Sequence, residues 1–409
     1  MRMKKMLALL LGTGVLAAAD QCSSNLAARQ SSLSTTYGKI VRLDPRFDKL
    51  VPRDARLEKL ADGFTWVEGP AWNRQGGYLV FSDIPNNSVF KWQEGGGTRL
   101  FLKPSGYTGR APFEGREPGS NGLTFDSAGR LVLGEHGDRR IARLEKDGRK
   151  TTLADQYEGK RVNSPNDLVF KSNGDLYFTD PPFGLPKAFD DPRRELDFCG
   201  VYRLSKSGKL TLLTKEMKAP NGLAFSPDEK ILYVTDVHPE RAAWYAYDVK
   251  EDGTITNGRV FFDATPWKKP NYGGPDGLKV DKEGNLFAAR PGGINVFAPD
   301  GTHLGSIETG VATSNCAWGD DGSVLYITAA TAIYRIRLNT KGVGFYEGSA
   351  VACFRSRCPI PLNRGSNQCP VESSTGVAVA IAHRESQPVP RGIRRGHRLP
   401  PAAGCSQWM

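Results

Sequence analysis

Apolar and polar residues alternate in short blocks along this chain, and the block from Pro220 to Asp236 shows the pattern most clearly. Asn221 opens it and precedes a short apolar run, after which Ser226-Pro227-Asp228 supplies residues typical of a tight turn. A β-branched and aromatic run, Ile231 to Val234, follows. Two strands around a turn form a hairpin. Because an isolated hairpin is only marginally stable in water, the pattern predicts a larger sheet.

The same block occurs six times, and each copy opens on one polar residue, which we call its lead residue. The lead residues are Glu68, Asn121, Asn166, Asn221, Asp276 and Asn315. They lie 53, 45, 55, 55 and 39 positions apart, and a second strand pair, such as Val201 to Leu213, follows the hairpin. Repeats of about 40–50 residues with four short strands are typical of propeller blades. The sequence therefore predicts an all-β fold, a six-bladed β-propeller with four-stranded blades around a central channel.

The chain divides into four segments. Residues 1–19 have a basic start, a short apolar run and small residues at the end, the pattern of a secretory signal peptide. Residues 20–56 are interpreted as a lead-in. Residues 57–346 hold the propeller, and a strand within 57–64 is expected to complete the last blade and close the ring. Residues 347–409 contain eight Arg and no Lys, and we interpret them as a disordered or non-native tail, with a basic tail for acidic partners as the alternative.

The signal sequence predicts export, to the periplasm or the medium. A lipid anchor at Cys22 is disfavoured because Asp20 and Gln21 replace the small residues that such an anchor requires. No other apolar run is long enough to span a membrane. The net charge is +11, but about half of it lies in the 347–409 tail, and no stripe of basic and aromatic residues occurs. We therefore expect no nucleic acid partner, and the sequence leaves the oligomeric state open.

The first strand of a propeller blade lines the channel, so the six lead residues should form a ring around the axis. Two of them, Glu68 and Asp276, are carboxylates and the other four are amides. Crowded carboxylates repel each other unless a cation neutralises them. Oxygen donors without Cys or His suit Ca²⁺ best, with Mg²⁺ and Mn²⁺ as alternatives and Zn²⁺ the least suited. The simpler alternative is that these residues only form turns where strands begin.

Several motifs resemble the gluconolactonase / senescence marker protein (regucalcin) family, and most of all its exported bacterial gluconolactonases. They are Glu68-Gly69-Pro70, Glu117 to Leu123 (EPGSNGL), Asn163 to Phe170 (NSPNDLVF), Tyr177 to Leu185 (YFTDPPFGL), Pro220 to Asp228 (PNGLAFSPD) and Gly274 to Asp281 (GPDGLKVD). The resemblance covers roughly residues 63–345. It implies a divalent metal, most simply Ca²⁺, and hydrolysis of sugar lactones, with glucono-1,5-lactone as the expected substrate.

The resemblance also implies roles for particular residues. Glu68, Asn221 and Asp276 would bind the metal, Asn166 would contact metal or substrate, and Asn121 is expected at the substrate. Lactone opening needs a positive group at the carbonyl oxygen and a base that activates water. Asp276 is the expected base, and His136, at the end of the second hairpin, is the alternative.

Other functions remain open at this point. No G-x-S-x-G motif occurs, so a serine nucleophile has no support. A related propeller hydrolase could act on aryl esters or on other lactones, because pocket loops such as 181–192 decide the substrate. The same fold also serves as a non-catalytic ligand-binding scaffold.

Overall fold

The computed structural model describes residues 37–267 and 273–344, and almost all of its regular structure is β-strand. The single α-helix of this part, α1, is one turn at Phe47–Leu50, and 3₁₀ turns occur at Ala188–Asp190 and Thr265–Trp267. The predicted all-β class is confirmed. No helix within the described ranges is long and apolar enough to cross a membrane.

Two short strands precede the repeats, and four antiparallel sheets follow, each built from consecutive strands in chain order. The first two strands are β1 (Lys39–Arg42) and β2 (Glu58–Ala61). The first sheet contains β3 (Val67–Asn73), β4 (Tyr78–Asp83), β5 (Ser88–Gln93) and β6 (Gly97–Leu102). The second contains β7 (Ser120–Phe125), β8 (Leu131–Glu135), β9 (Arg140–Leu144) and β10 (Lys150–Ala154).

Between the second and third sheets the chain forms a small two-stranded ladder. It consists of β11 (Gln156–Tyr157) and β12 (Lys160–Arg161). The third sheet contains β13 (Leu168–Phe170), β14 (Leu176–Asp180), β15 (Gly200–Leu204) and β16 (Leu210–Thr214). The fourth contains β17 (Pro220–Phe225), β18 (Ile231–Asp236), β19 (Ala243–Val249) and β20 (Ile255–Asp263).

The last five strands, together with β1 and β2, form a seven-stranded sheet whose two parts are joined by one long strand. The last five strands are β21 (Leu278–Val280), β22 (Leu286–Phe297), β23 (His303–Gly319), β24 (Val324–Ala329) and β25 (Ala332–Arg337). Residues 303–312 of β23 pair with β22, and residues 313–319 pair with β24. The long strand therefore takes part in two sets of pairings along its length.

Both N-terminal strands pair with the end of the chain. β2 runs antiparallel to β25, with Glu58 opposite Arg335, which confirms the closing strand that the sequence predicted. β1 pairs with residues 305–308 of β23. The segment interpreted as a lead-in thus contributes a strand of its own. The predicted signal peptide at 1–19 and tail at 347–409 lie outside the described residues.

Asp side chains hold the tight turns inside the hairpins. Asp126 Oδ1 accepts hydrogen bonds from the backbone N–H groups of Ala128 and Arg130, at 3.0 and 2.8 Å. Asp281 Oδ1 does the same for Glu283 and Asn285, at 3.0 and 2.8 Å. Such local bonds are the reason that Asp favours turns, and they fix which residues of each repeat face each other.

Apolar side chains fill the space between neighbouring sheets. In the described ranges one of six buried clusters lies within the seven-stranded sheet, and the other five each join two neighbouring sheets, one of them the first sheet and the last strands. In that cluster Trp72 of β3 stacks on Tyr326 of β24, with ring centroids 5.2 Å apart. Sheets that pack on both neighbours, the first on the last included, form a closed ring. The first strands of neighbouring sheets contact one another, β3 with β7 and β13 with β17 among them, so they face the inside of that ring.

Candidate active site

Five lead residues lie within two residues of the first residue of a strand, and Asn315 lies within β23, close to the point where its pairing passes from β22 to β24. The positions are Glu68 in β3, Asn121 in β7, Asn166 two residues before β13, Asn221 in β17, Asp276 two residues before β21, and Asn315 in β23. Five of them are at most 7% exposed, and Asp276 keeps partial exposure. Water can therefore reach Asp276 more readily than the others.

Contacts between sheets show that the lead residues meet. The Asn315 Nδ2 group donates to Glu68 Oε1 at 2.7 Å and to Asp167 Oδ2 at 3.2 Å. The side chain of Asn221 donates to Asp276. These residues come from five of the six repeats and lie as much as 247 positions apart. We call Glu68, Asp167, Asp276 and their amide neighbours the axial cluster.

Asp167 is a member of this cluster that the sequence reasoning missed. It is 3% exposed, and its Oδ2 accepts the Asn315 bond. The residue after the lead is Gly in four repeats, and a Cβ on Gly277 would lie 2.0 Å from Cγ of Asn315. A bulky acid at the one position where the other repeats need a small residue was the signal that could have revealed Asp167.

Hydroxyl groups on the second strand of a sheet position the lead residue of the next sheet. Each is the penultimate residue of its strand and donates to a lead carbonyl oxygen. The bonds run from Ser82 to Asn121 (2.9 Å), from Thr179 to Asn221 (2.7 Å) and from Thr235 to Asp276 (2.7 Å). In β8 the equivalent residue is Gly134, where a Cβ would lie 2.7 Å from the Asn166 carbonyl oxygen. The backbone of each of these leads is therefore fixed by its neighbour.

The last residue of the same second strands holds the segment that enters its own sheet. A carboxylate there accepts a backbone N–H. The bonds run from Trp66 to Asp83 (3.2 Å), from Asn163 to Asp180 (2.8 Å) and from Ala219 to Asp236 (3.0 Å). These three Asp residues are the polar ends of the sequence repeats, and each accepts a hydrogen bond from the backbone.

Burial and mutual repulsion disfavour negative charge in the axial cluster. The pKa of Asp276 lies well above its usual value, first because the surrounding protein removes most of its water, and then because Glu68 and Asp167 repel its charge. Burial also raises the pKa of Glu68, although Gly69 and Asn315 donate hydrogen bonds that act in the opposite direction. A cation between these groups would remove this penalty.

The donor atoms of the cluster fit such a cation. Among the described residues, Glu68 Oε2, Asn121 Oδ1 and Asn166 Oδ1 are buried and have no hydrogen-bond partner. Buried polar atoms are nearly always paired, so these oxygens are suited to coordination. No three His, Cys, Asp or Glu side chains within 37–267 and 273–344 form a metal site. Amide oxygens would therefore have to complete the ligand set, which favours a hard cation such as Ca²⁺.

His136 lies beside the cluster, in the turn between β8 and β9. It is fully buried, and its Nδ1 is 2.8 Å from Glu117 Oε2. The negative charge of Glu117 also contributes to the raised pKa of Asp276. His136 Nε2 has no hydrogen-bond partner among the described residues, and the side chain borders a cavity of about 320 Å³. His136 thus adjoins the axial cluster through Glu117, a second residue that the sequence reasoning did not assign.

Comparison with known proteins identifies the family of this chain. A family model described as the SMP-30/gluconolactonase/LRE-like region matches residues 66–331. The chain belongs to this family. It is 39% identical to the gluconolactonase of Zymomonas mobilis over 332 residues, which are 80% of this chain and 93% of that protein. The resemblance that the motifs indicated is confirmed, and the matched range holds all six lead residues.

Solved structures of the SMP-30/gluconolactonase family share the fold. A gluconolactonase from Xanthomonas campestris is 34% identical with a TM-score of 0.63, and the match covers 74% of this chain and 97% of that one. The calcium-binding protein regucalcin from Agrobacterium tumefaciens is 21% identical with a TM-score of 0.55, over 71% and 95%. The second likeness is one of fold alone. The sheets of this chain thus form a propeller of the SMP-30/gluconolactonase type.

Proposed function

We propose that this protein opens sugar lactones with the help of a divalent cation, and that it converts glucono-1,5-lactone to gluconate. The observation that carries the proposal is the axial cluster, where repelling carboxylates meet oxygens of Glu68 and Asn166 that have no hydrogen-bond partner among the described residues. A scaffold that only binds partners has no need of such a cluster. The class of enzyme follows from relatives such as the Zymomonas gluconolactonase: the chain is a lactone hydrolase.

Four residues would hold the cation in this proposal. They are Glu68, Asn166, Asn221 and Asp276. Ca²⁺ suits their oxygen atoms best, and when bound it supplies positive charge that polarises the lactone carbonyl. Asn121, whose Oδ1 is unpaired in the described part, and Asn166 would bind the sugar hydroxyl groups and orient the ring.

Asp276 is the proposed general base. Its raised pKa brings its basicity closer to neutral pH, and its partial exposure allows water to reach it. A proton moves from water to the carboxylate as the water oxygen bonds to the carbonyl carbon. The bond from that carbon to the ring oxygen then breaks, and the ring oxygen takes up a proton. His136 is the second candidate, because its Nε2 has no partner among the described residues.

Two further proposals concern architecture and location. A count of six blades is supported by the six apolar clusters and by the two sets of pairings along β23. The seven-stranded sheet then counts as two blades, closed by β1 and β2. Export to the periplasm or the medium is supported by the pattern of residues 1–19.

A pH-stat assay of the mature protein tests the proposed activity. Glucono-1,5-lactone is added to chelator-treated protein, and acid release is followed before and after addition of Ca²⁺, Mg²⁺ or Mn²⁺. We expect release well above the spontaneous rate, with Ca²⁺ the most effective. Release that never exceeds the spontaneous rate with any cation would refute the proposal, and turnover of aryl esters in its place would favour a related hydrolase.

A further inference from the structure

The cavity beside His136 opens at the end of the ring where the lead residues begin. The connection between the first and second sheets, the turn after β8, the strand β12 and the loop after β14 form it, and its volume is about 320 Å³. Tyr107 and Phe113 line it as a pair of aromatic rings with centroids 5.1 Å apart. His136 lies between this cavity and Glu117, whose charge acts on Asp276. The cavity therefore adjoins the axial cluster and can hold the part of a substrate that does not react.

Positive side chains dominate the charged lining of this cavity. Arg139, Arg161 and Arg193 contribute to it, against the single carboxylate of Glu114. The charge of Arg193 is already neutralised, because the Asp191 carboxylate accepts hydrogen bonds from its guanidinium group at 2.9 Å. The excess charge therefore comes from Arg139 and Arg161.

Neither of these two arginines forms an ion pair within the described ranges. Arg139 Nε donates to the carbonyl oxygens of Val162 and Asn163, both at 3.0 Å, and its Nη1 donates to that of Arg193. Arg161 Nη2 donates to the carbonyl oxygen of Asp138 at 2.6 Å. Backbone carbonyl oxygens position both guanidinium groups, and no carboxylate of the described residues forms an ion pair with either.

Arg139 also has an unused donor. The residue is 7% exposed, and its Nη2 has no hydrogen-bond partner among the described residues. Burial lowers the pKa of Arg139 and repulsion from Arg161 lowers it further, while the weaker attraction of Glu195 and Asp180 acts in the opposite direction. Buried donors are rarely left unpaired, and a planar guanidinium is suited to carboxylate and phosphate. The backbone at Arg139 has φ +55°, a conformation that costs a non-glycine residue some stability.

We infer that this cavity is an anion subsite, and that lactones with a carboxylate or phosphate on their carbon chain are the preferred substrates. Arg139 and Arg161 would bind the anionic group while the lactone carbonyl lies at the axial cluster. This inference rests on the proposed lactone hydrolysis. Charge-assisted hydrogen bonds from arginine are among the stronger polar contacts, so the preference over a neutral lactone should be about 10- to 100-fold in kcat/KM.

The test compares three lactones with the full-length mature protein. Glucono-1,5-lactone is the neutral substrate, glucaro-1,4-lactone carries a carboxylate, and 6-phosphoglucono-1,5-lactone carries a phosphate. Wild type should favour at least one of the two anionic lactones. Arg161→Gln should lose about tenfold or more of this preference, chiefly through KM, and Arg161→Lys, which keeps the charge, should retain part of it. Arg149→Gln, at a distant arginine whose side chain is 86% exposed, is the matched control and should keep the full preference.

Two measurements separate the subsite from folding and from the lactonase proposal. Melting temperatures show whether Arg161→Gln is folded; if it is not, Arg161→Lys carries the comparison. Equal or lower kcat/KM for both anionic lactones in wild type would overturn the subsite while the lactonase proposal stands. If no lactone is hydrolysed, calorimetry with inorganic phosphate decides. Phosphate binding to wild type that is weaker in Arg161→Gln supports the subsite, whereas no phosphate binding to wild type overturns it.

Discussion

Replacing Asp180 by Asn should change how the stability of the propeller depends on pH. Asp180 ends β14 and is fully buried. Its Oδ2 accepts the backbone N–H of Asn163 at 2.8 Å, and its Oδ1 has no partner among the described residues. Burial raises the pKa of Asp180 to about 7, although the N–H of Asn163 acts in the opposite direction. Asn resembles the protonated carboxyl in shape and carries no charge.

The direction of this pH dependence follows from proton binding. The folded protein holds the Asp180 proton more tightly than the unfolded chain, where the pKa is about 3.9. The stabilisation is complete below that value and is lost as the pH rises through 7. With a folded pKa of about 7, the free energy of unfolding should fall by on the order of 2–3 kcal/mol between about pH 5 and pH 8. Asp180→Asn should lack this fall.

Urea or thermal unfolding across this pH range measures the effect. Asp175→Asn is the control of opposite sign, in the same sheet. Burial would raise the pKa of Asp175, but the N–H of Lys206 and the guanidinium of Arg203 outweigh it and leave the pKa lowered. The decrease in the free energy of unfolding caused by Asp175→Asn should be largest at neutral pH and should become smaller as the pH falls toward 4. Parallel wild-type and Asp180→Asn curves from pH 5 to pH 8 would refute the reasoning.

Three further outcomes are expected. Asp276→Asn and Glu68→Gln should both lower Ca²⁺ affinity, but at saturating Ca²⁺ only Asp276→Asn should keep a kcat about 10²–10⁴-fold below wild type; equal rescue in a Ca²⁺ titration would mean that Asp276 is not the base. Thr235→Val removes the 2.7 Å bond to the Asp276 carbonyl and should lower the free energy of unfolding by about 1–2 kcal/mol, so an unchanged melting temperature would count against that bond. Deleting residues 347–409 should leave melting temperature and activity nearly unchanged, and a large drop in either would show that the last sheet extends further.

The hairpins and their polar leads were predictable because their causes are local. Each repeat contains an apolar run, a turn that is held by a residue such as Asp126, and a second run of β-branched residues. The closing pair of β2 with β25 was also predictable, since an unpaired edge at each chain end can be covered by the other. The position of the axial cluster followed from symmetry of the repeats.

Features that depend on a single residue, or on pairing that the repeat pattern does not require, were not predictable. Asp167 breaks the glycine position of the repeat, so an argument from repetition passes over it. β1 pairs with a strand about 260 residues away, and a four-residue segment carries no sign of that partner. The cavity lined by Arg139 and Arg161 forms where loops from different repeats come together, and the sequence of each loop carries no sign of its neighbours.

The axial cluster also links function to closure of the ring. Glu68 belongs to the first sheet and Asn315 to the last strands, so the 2.7 Å bond between them forms only when the two chain ends meet. The same amide reaches Asp167 of the third sheet at 3.2 Å. Each buried acid lowers stability while its charge is unbalanced, and a cation shared among them would turn that cost into attraction between sheets. Binding of a cation would therefore stabilise the closed ring by mass action, because its ligands come together only in the closed propeller.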